Sequence, residues 1–385
     1  MQKNSRKKKI PWQKGLFSLV FIFIGGICGL CIAHHVDKLT ASGQGAGSAL
    51  LTFGLLLLGF LAVLFLQIIV HEGGHLVFGL LSGYTFSSFR VGSFMVIKPD
   101  GKLRFKRLSL AGTGGQCLMA PPDLVDGKMP FVLYNLGGSL LNLISAALCV
   151  ILYFPARAVP YLPLFLLMGA IVGAVYALMN GIPLRLGAVD NDGYNAWSMG
   201  KDPAALRAFW LQLKLNALLT QGVRLKDMPE EWFQIPEGEN LNNSMTAALG
   251  VFACNRMMDA HRFQSARAAM EKLLAAHSAL IGIYRNLLLN DLLYCELLFE
   301  NRPDRIKRML TNGQKKFMKA MKTYPAILRT AYAYTLLAQQ DEKQAAQIKQ
   351  KFEAIGRAYP YPSDWESERE LMDLAEAKAR TQQEV

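Results

Sequence analysis

The sequence predicts an α-helical polytopic membrane protein with about four transmembrane helices. A small cytoplasmic β-hairpin is inserted among them, and a soluble all-α domain of tetratricopeptide-like character ends the chain. Three observations predict this class. Uncharged apolar runs crowd the first half, whereas the chain after about residue 200 has the charge content of an ordinary soluble protein. Lys and Arg gather at the ends of the apolar runs, where they report orientation across a bilayer. One such run, Leu50 to Val70, carries no charge and leads directly into His71-Glu72-Gly73-Gly74-His75. The averages, 18% charged and 52% apolar, conceal this division. A net charge of +13 points towards nucleic acid only when its distribution is ignored, so no nucleic-acid partner is expected.

Residues 1–49 read as a basic cytoplasmic tail, a signal-anchor helix and an outside loop. Lys3, Arg6, Lys7, Lys8, Lys9 and Lys14 precede the apolar run Leu16 to Ala33. No small-x-small cleavage site follows, so the helix is expected to stay attached. Its basic flank places the N-terminus in the cytoplasm. Cys28 and Cys31 form a C-x-x-C inside this run with no second pair, which predicts membrane-buried packing rather than a metal or redox site. The loop Ser42-Gly43-Gln44-Gly45 then lies outside.

The second span, about Leu50 to Leu81, exceeds the ~20 residues that cross a bilayer, so part of it must tilt, kink or protrude. His71 falls a bilayer's length from its start, towards the cytoplasmic side. An ionisable side chain inside a bilayer costs roughly 2.5–3.5 kcal/mol on insertion scales, so two His and a Glu there need a reason. The H-E-x-x-H pattern supplies one. Residues four apart share a helix face, so His71 and His75 can direct both imidazoles at one ion, expected to be Zn²⁺. Glu72 beside them is the general base, because zinc lowers the pKa of a water from ~15.7 towards roughly 7.

Residues 82–130 are rich in Lys and Arg, as an inside loop should be. Phe94 and Val96 alternate before the turn Lys98-Pro99-Asp100-Gly101, and Leu103 and Phe105 alternate with Lys102, Arg104 and Lys106. That period predicts a β-hairpin, either a connector or an edge to which an unwound chain adds as a strand. Gly112-Thr113-Gly114-Gly115-Gln116-Cys117 lacks the Lys-Ser/Thr of a phosphate loop and reads as an irregular loop near the site.

Phe131 to Phe154 is the third span, with Asn135 and Asn142 on it. Leu162 to Met179 is the fourth, ended by Asn180-Gly181-Ile182-Pro183. Four spans return the chain to the cytoplasm, so both termini are expected there, in a multi-pass cell-membrane protein. A catalytic zinc takes three protein ligands and leaves the fourth position open. The third is expected from Asp190 or Asp192, both of which qualify by chemistry.

Residues 201–385 open at Asp202-Pro203, an N-cap and first-turn pair. A weak repeat of about 40 residues follows, with Ala266, Ile306 and Ala346 at equal intervals on similar amphipathic helices. The domain has no Walker motif and is expected to dock or regulate, with a cytoplasmic protein as its partner.

Taken together, residues 50–200 resemble the site-2 protease family of intramembrane zinc metalloproteases. His71-Glu72-Gly73-Gly74-His75 matches the family's first core helix. Gly138-Ser139-Leu140-Leu141-Asn142 is similar to its G-P-x-x-N, with Ser139 in place of Pro. Asn180-Gly181-Ile182-Pro183 with Asp192-Gly193 looks like its N-x-x-P…D-G, though the gap after Pro183 is longer. The resemblance implies Asp192 as third zinc ligand, Asn142 and Asn180 as substrate-positioning or oxyanion residues, and hydrolysis of peptide bonds in or near transmembrane segments. Gly193 also favours Asp192, because it lets the backbone turn away from the metal. A Glu-ligated H-E-x-x-H protease is disfavoured, since no Glu occurs between Glu72 and Glu230. The alternative outside enzymology is a membrane scaffold or metal-dependent receptor acting through the C-terminal repeats.

Overall fold

The computed structural model describes residues 12–41, 46–110, 113–184, 190–276 and 280–383. Most of the basic tail, the Ser42–Gly45 loop and Gly112 lie outside the described residues. The protein is mostly helical with one small antiparallel sheet, and its residues fall into two compact units.

The first unit is a helix bundle interrupted in sequence. Helix α1 spans Trp12–Ala41 and α2 spans Ala46–Leu81. At ~1.5 Å per residue, α2 is ~54 Å long, well beyond the ~30 Å of a hydrocarbon core. The chain then leaves this unit for the strands β1 (Thr85–Val91), β2 (Phe94–Ile97), β3 (Arg104–Arg107) and β4 (Gly115–Ala120). It returns for α3 (Val132–Tyr153), α4 (Leu162–Gly181) and the start of α5 (Asp192–Met199). Among the described residues, α3, α4 and α2 from Gly47 onwards are long and apolar enough to cross a membrane.

The packing of this bundle is inside-out relative to a soluble one. Leu143, Ile144, Leu148 and Ile151 of α3 face outwards, while Asn135, Gly138, Ser139 and Asn142 form its buried stripe. Small and polar residues at the contact are what helices use to associate where lipid is as apolar as leucine. On α1, Ile24, Cys28 and Ile32 recur every four residues and pack with Leu56 of α2 and with Leu164, Met168 and Val172 of α4. Cys28 is therefore a buried packing residue, as its setting predicts, and neither it nor Cys31 forms a disulfide. Helix α4 ends at Gly181, and Ile182 adopts extended backbone before Pro183.

The second unit contains the sheet and the C-terminal helices. The expected hairpin is present: β2 pairs antiparallel with β3, Val96 opposite Phe105, across a turn at Pro99–Gly101. It is one half of a larger sheet, ordered β3-β2-β1-β4. The expectation of an irregular loop at Gly112–Cys117 is corrected from Gly115 onwards. Gly115, Gln116 and Cys117 belong to β4, which pairs with β1 and alternates inward at Cys117 and Met119. Pairing to β1 imposes the strand on a segment whose glycines by themselves suggest a turn.

After the sheet come α6 (Pro203–Thr220), α7 (Ser244–Asp259), α8 (Phe263–Ala275), α9 (Gly282–Phe299) and α10 (Pro303–Met309). The remaining helices are α11 (Asn312–Ala320), α12 (Pro325–Ala333), α13 (Glu342–Gly356) and α14 (Pro362–Gln383). Asp202 caps α6 through Ala204 N, as its position before Pro203 predicts. Met95, Ile97 and Leu108 of the sheet region share a core with Leu215 and Leu219 of α6 and with Tyr359 and Tyr361 of the link between α13 and α14.

The repeat is real in geometry but its phase differs from the equal spacing. Left-handed residues recur at His261, Asn301 and Gln340, with φ of 56°, 49° and 56°. Each sits two residues ahead of a helix, α8, α10 or α13. Five residues beyond each turn lies a buried apolar side chain: Ala266, Ile306 and Ala345. The second interval is one residue shorter than the first, so Ala345 takes the core position and Ala346, the expected residue, is exposed.

Candidate metal centre

Three polar residues recur at four-residue intervals on α2: Gln67, His71 and His75. One helix face therefore carries all three, and that face meets the polar stripe of α3. The approach is close because glycines face each other. A Cβ on Gly74 would stand 2.2 Å from the Gly137 carbonyl oxygen, and one on Gly138 would stand 2.5 Å from the His71 ring. The Gly137-Gly138 pair thus makes room for both the helix crossing and an imidazole.

Each imidazole is oriented through Nδ1. That of His71 is 2.9 Å from Asn142 Oδ1, and that of His75 is 2.7 Å from the Tyr134 carbonyl oxygen. Both partners are acceptors, which puts the protons on Nδ1 and leaves the Nε2 lone pairs free. Asn142 is itself held: its Nδ2 donates to the Gln67 carbonyl at 3.0 Å and to Gln67 Oε1 at 2.7 Å. Gln67 Nε2 in turn donates to Ser145 Oγ and to the Gly169 carbonyl of α4. A buried chain of hydrogen bonds from α4 through Gln67 and Asn142 therefore fixes the His71 ring.

The third member comes from far along the chain. Asp192 opens α5, and Asn191 before it ties that opening to the end of α4. Asn191 Nδ2 donates to the Met179 and Ile182 carbonyls, while its Oδ1 accepts from Leu184 N and Tyr194 N. Gly193 allows the contact, since a Cβ there would stand 2.2 Å from the Gly181 carbonyl oxygen. So placed, Asp192 Oδ2 lies 3.1 Å from His71 Nε2 and 3.4 Å from His75 Nε2, and the two Nε2 atoms are 3.3 Å apart.

These separations fit one small ion. Ligand atoms ~2.0–2.1 Å from a tetrahedral zinc stand ~3.3 Å from one another. The donor set of two imidazoles and one carboxylate is of the kind zinc takes in catalytic sites. Among the described residues, His71, His75 and Asp192 form the one group of three or more His, Cys, Asp or Glu side chains close enough to share a metal. Asp190 is outside that group. Glu72 is buried, 7% exposed, next to His71 on α2. The Asn180 side chain donates to the Tyr176 carbonyl of its own helix, 3.0 Å away, and makes no hydrogen bond to the cluster among the described residues.

Gln67, Asn191 and the Tyr134 carbonyl are parts of this arrangement that sequence reasoning missed. Gln67 had a usable signal, being the one amide in an apolar run and one turn before His71. Asn191 stood between two aspartates that drew the attention, and a backbone carbonyl leaves no trace in sequence at all.

In comparisons with known proteins, the chain matches no family model, no curated protein and no solved structure.

Proposed function

We propose that the chain is an intramembrane zinc metalloprotease of the site-2 type, which hydrolyses peptide bonds in or near transmembrane segments of membrane proteins or peptide precursors. The observation that carries this reading is the convergence of His71, His75 and Asp192 inside a bundle of membrane-type helices, with Glu72 buried beside them. A zinc ion held by those three residues would polarise the scissile carbonyl and acidify a water. The Glu72 carboxylate takes the proton of the attacking water and delivers it to the departing amide nitrogen. Asn142 has its amide group engaged by Gln67, and we assign it the orientation of His71. Asn180, at the broken end of α4, keeps the role of positioning substrate. A helical substrate has its carbonyls bonded internally, so it must unwind locally before Glu72 can act.

The finer topology belongs to the same proposal. With α1 as a signal anchor, four spans place both termini in the cytoplasm, and the outside loops keep only Lys38 and Arg157 as positive charges. The C-terminal helices are then a cytoplasmic, tetratricopeptide-like docking module.

Substrate trapping tests the reading. Glu72→Gln protein is expressed in membranes, cross-linked, and compared with wild type by mass spectrometry. Accumulated membrane proteins that wild type converts to shorter fragments are expected. If Glu72→Gln instead leaves the cellular phenotype intact while zinc stays bound, the scaffold or receptor reading replaces the protease.

A further inference from the structure

The helical unit carries a concentration of positive charge that the protease reading does not use. From residue 302 to residue 322 the only acid is Asp304, while Lys and Arg recur throughout. Arg302 and Arg305 are neutralised by Glu296, Glu300 and Glu271. The others, Lys307, Arg308, Lys315, Lys316, Lys319 and Lys322, are all exposed and make no ion pair among the described residues. Six uncompensated cations on α10, α11 and the turn after them repel one another. Burial does not explain their clustering, since none of the six is buried.

A groove of about 570 Å³ opens among them. Ile306 and Leu310 form an apolar floor together with Tyr334 and Ala338, which lie on a π-helical turn, Tyr334–Ala338, continuing α12. Lys307 and Lys315 stand at its sides, and Asn301 and Thr311 add polar groups. The volume lies within the roughly 300–1,000 Å³ of recessed binding sites. Apolar floor and cationic walls are the complement of an extended chain that presents carboxylates around an apolar side chain.

We infer that this groove is a docking site for an acidic protein segment, one in which Asp or Glu residues flank an apolar anchor. A bilayer also attracts clustered lysines, but it meets a protein on a flat or convex face and would leave a recessed apolar floor unused. The recess therefore favours a peptide. The inference is independent of the proteolytic reading, because it concerns binding alone and holds equally for Glu72→Gln protein.

The test uses the full-length protein in nanodiscs of neutral lipid and a short fluorescein-labelled peptide of alternating glutamate and leucine, read by anisotropy. Binding is expected to be saturable and to weaken as salt rises, since exposed charges are screened beyond a Debye length. Replacing glutamate by glutamine in the probe, or leucine by serine, should each weaken it by about tenfold or more. The double variant Lys307→Glu/Lys315→Glu alters only exposed side chains and should lose binding to the same extent, whereas the exposed Arg207→Glu on α6 should leave it within about twofold. Equal binding by all probes or all variants would overturn the inference. So would capture of phosphatidylserine vesicles through Lys307 and Lys315 without any binding of the acidic peptide.

Discussion

At the scale of single residues, the site is a local motif completed by long-range partners. His71, Glu72 and His75 were legible because their spacing alone puts two imidazoles on one helix face. The choice of Asp192 over Asp190 was not legible from chemistry, and needed either a family resemblance or the fold. The structure brings Asp192 to the imidazoles through Asn191, which bonds to the end of α4 from the position just before it. Gln67 and Asn142 were invisible as a pair, being 75 residues apart in sequence and joined only by helix packing. These differences separate three classes of variant. On the proposed zinc site, Asp192→Asn removes a ligand and should lower retained zinc per protein by more than about tenfold after chelator dialysis, while Asp190→Asn should keep it. Asn142→Ala leaves the ligands but frees the His71 ring, so zinc affinity should fall by roughly 10–100-fold, the effect of losing a group that orients a ligand. Retained zinc in Asp192→Asn together with loss in Asp190→Asn would move the carboxylate ligand to Asp190.

At the scale of elements, periodicity was read well wherever an element was regular along its own length. The β2–β3 hairpin announced itself through alternation and a Pro-Asp-Gly turn. Strand β1 did not, because Thr85-Phe86-Ser87-Ser88-Phe89 breaks strict alternation, and its pairing with β4 shifts register between Phe86 and Ser88. Strand β4 was hidden behind glycines. The helical repeat shows the same limit more finely. Equal spacing selects Ala346, yet the left-handed turn residues show that the third repeat begins one residue early and buries Ala345 instead. A charge placed at each position discriminates. Ala345→Asp puts an unpaired carboxylate into the core and should destabilise the helical unit by about 3 kcal/mol or more, whereas Ala346→Asp should stay within about 0.5 kcal/mol. Denaturant melts of full-length protein, followed by helical circular dichroism, read the difference. Equal effects would restore the equal-interval phase.

At the scale of the whole molecule, the chain's composition divides near residue 200, but its cores do not. Residues beyond 200 look self-sufficient by charge content, and sequence reasoning gives them a domain of their own. In the structure that domain's core includes a segment inserted between α2 and α3. Met95, Ile97 and Leu108 pack against Leu215, Leu219, Tyr359 and Tyr361, and Arg107 N donates to the Ala358 carbonyl 2.9 Å away. Composition could not reveal this, because the insertion is basic and short and its apolar residues alternate with charges. Residues 201–385 expressed alone would therefore expose four large side chains that are buried in the core shared with the sheet. Full burial of one such side chain contributes ~1.5–3 kcal/mol, and a domain's whole stability is ~5–15 kcal/mol, so the loss is a large share of the total. The segment alone should aggregate or melt at lower temperature than when residues 83–130 are co-expressed with it, and the two fragments should copurify. A tight, cooperative melt of 201–385 that residues 83–130 leave unchanged would show that the sheet is an ornament on the helical unit rather than part of its core. Within the full chain, Ile97→Asp gives the same reading without truncation, since it should lower the melting temperature of the helices although it lies outside every one of them.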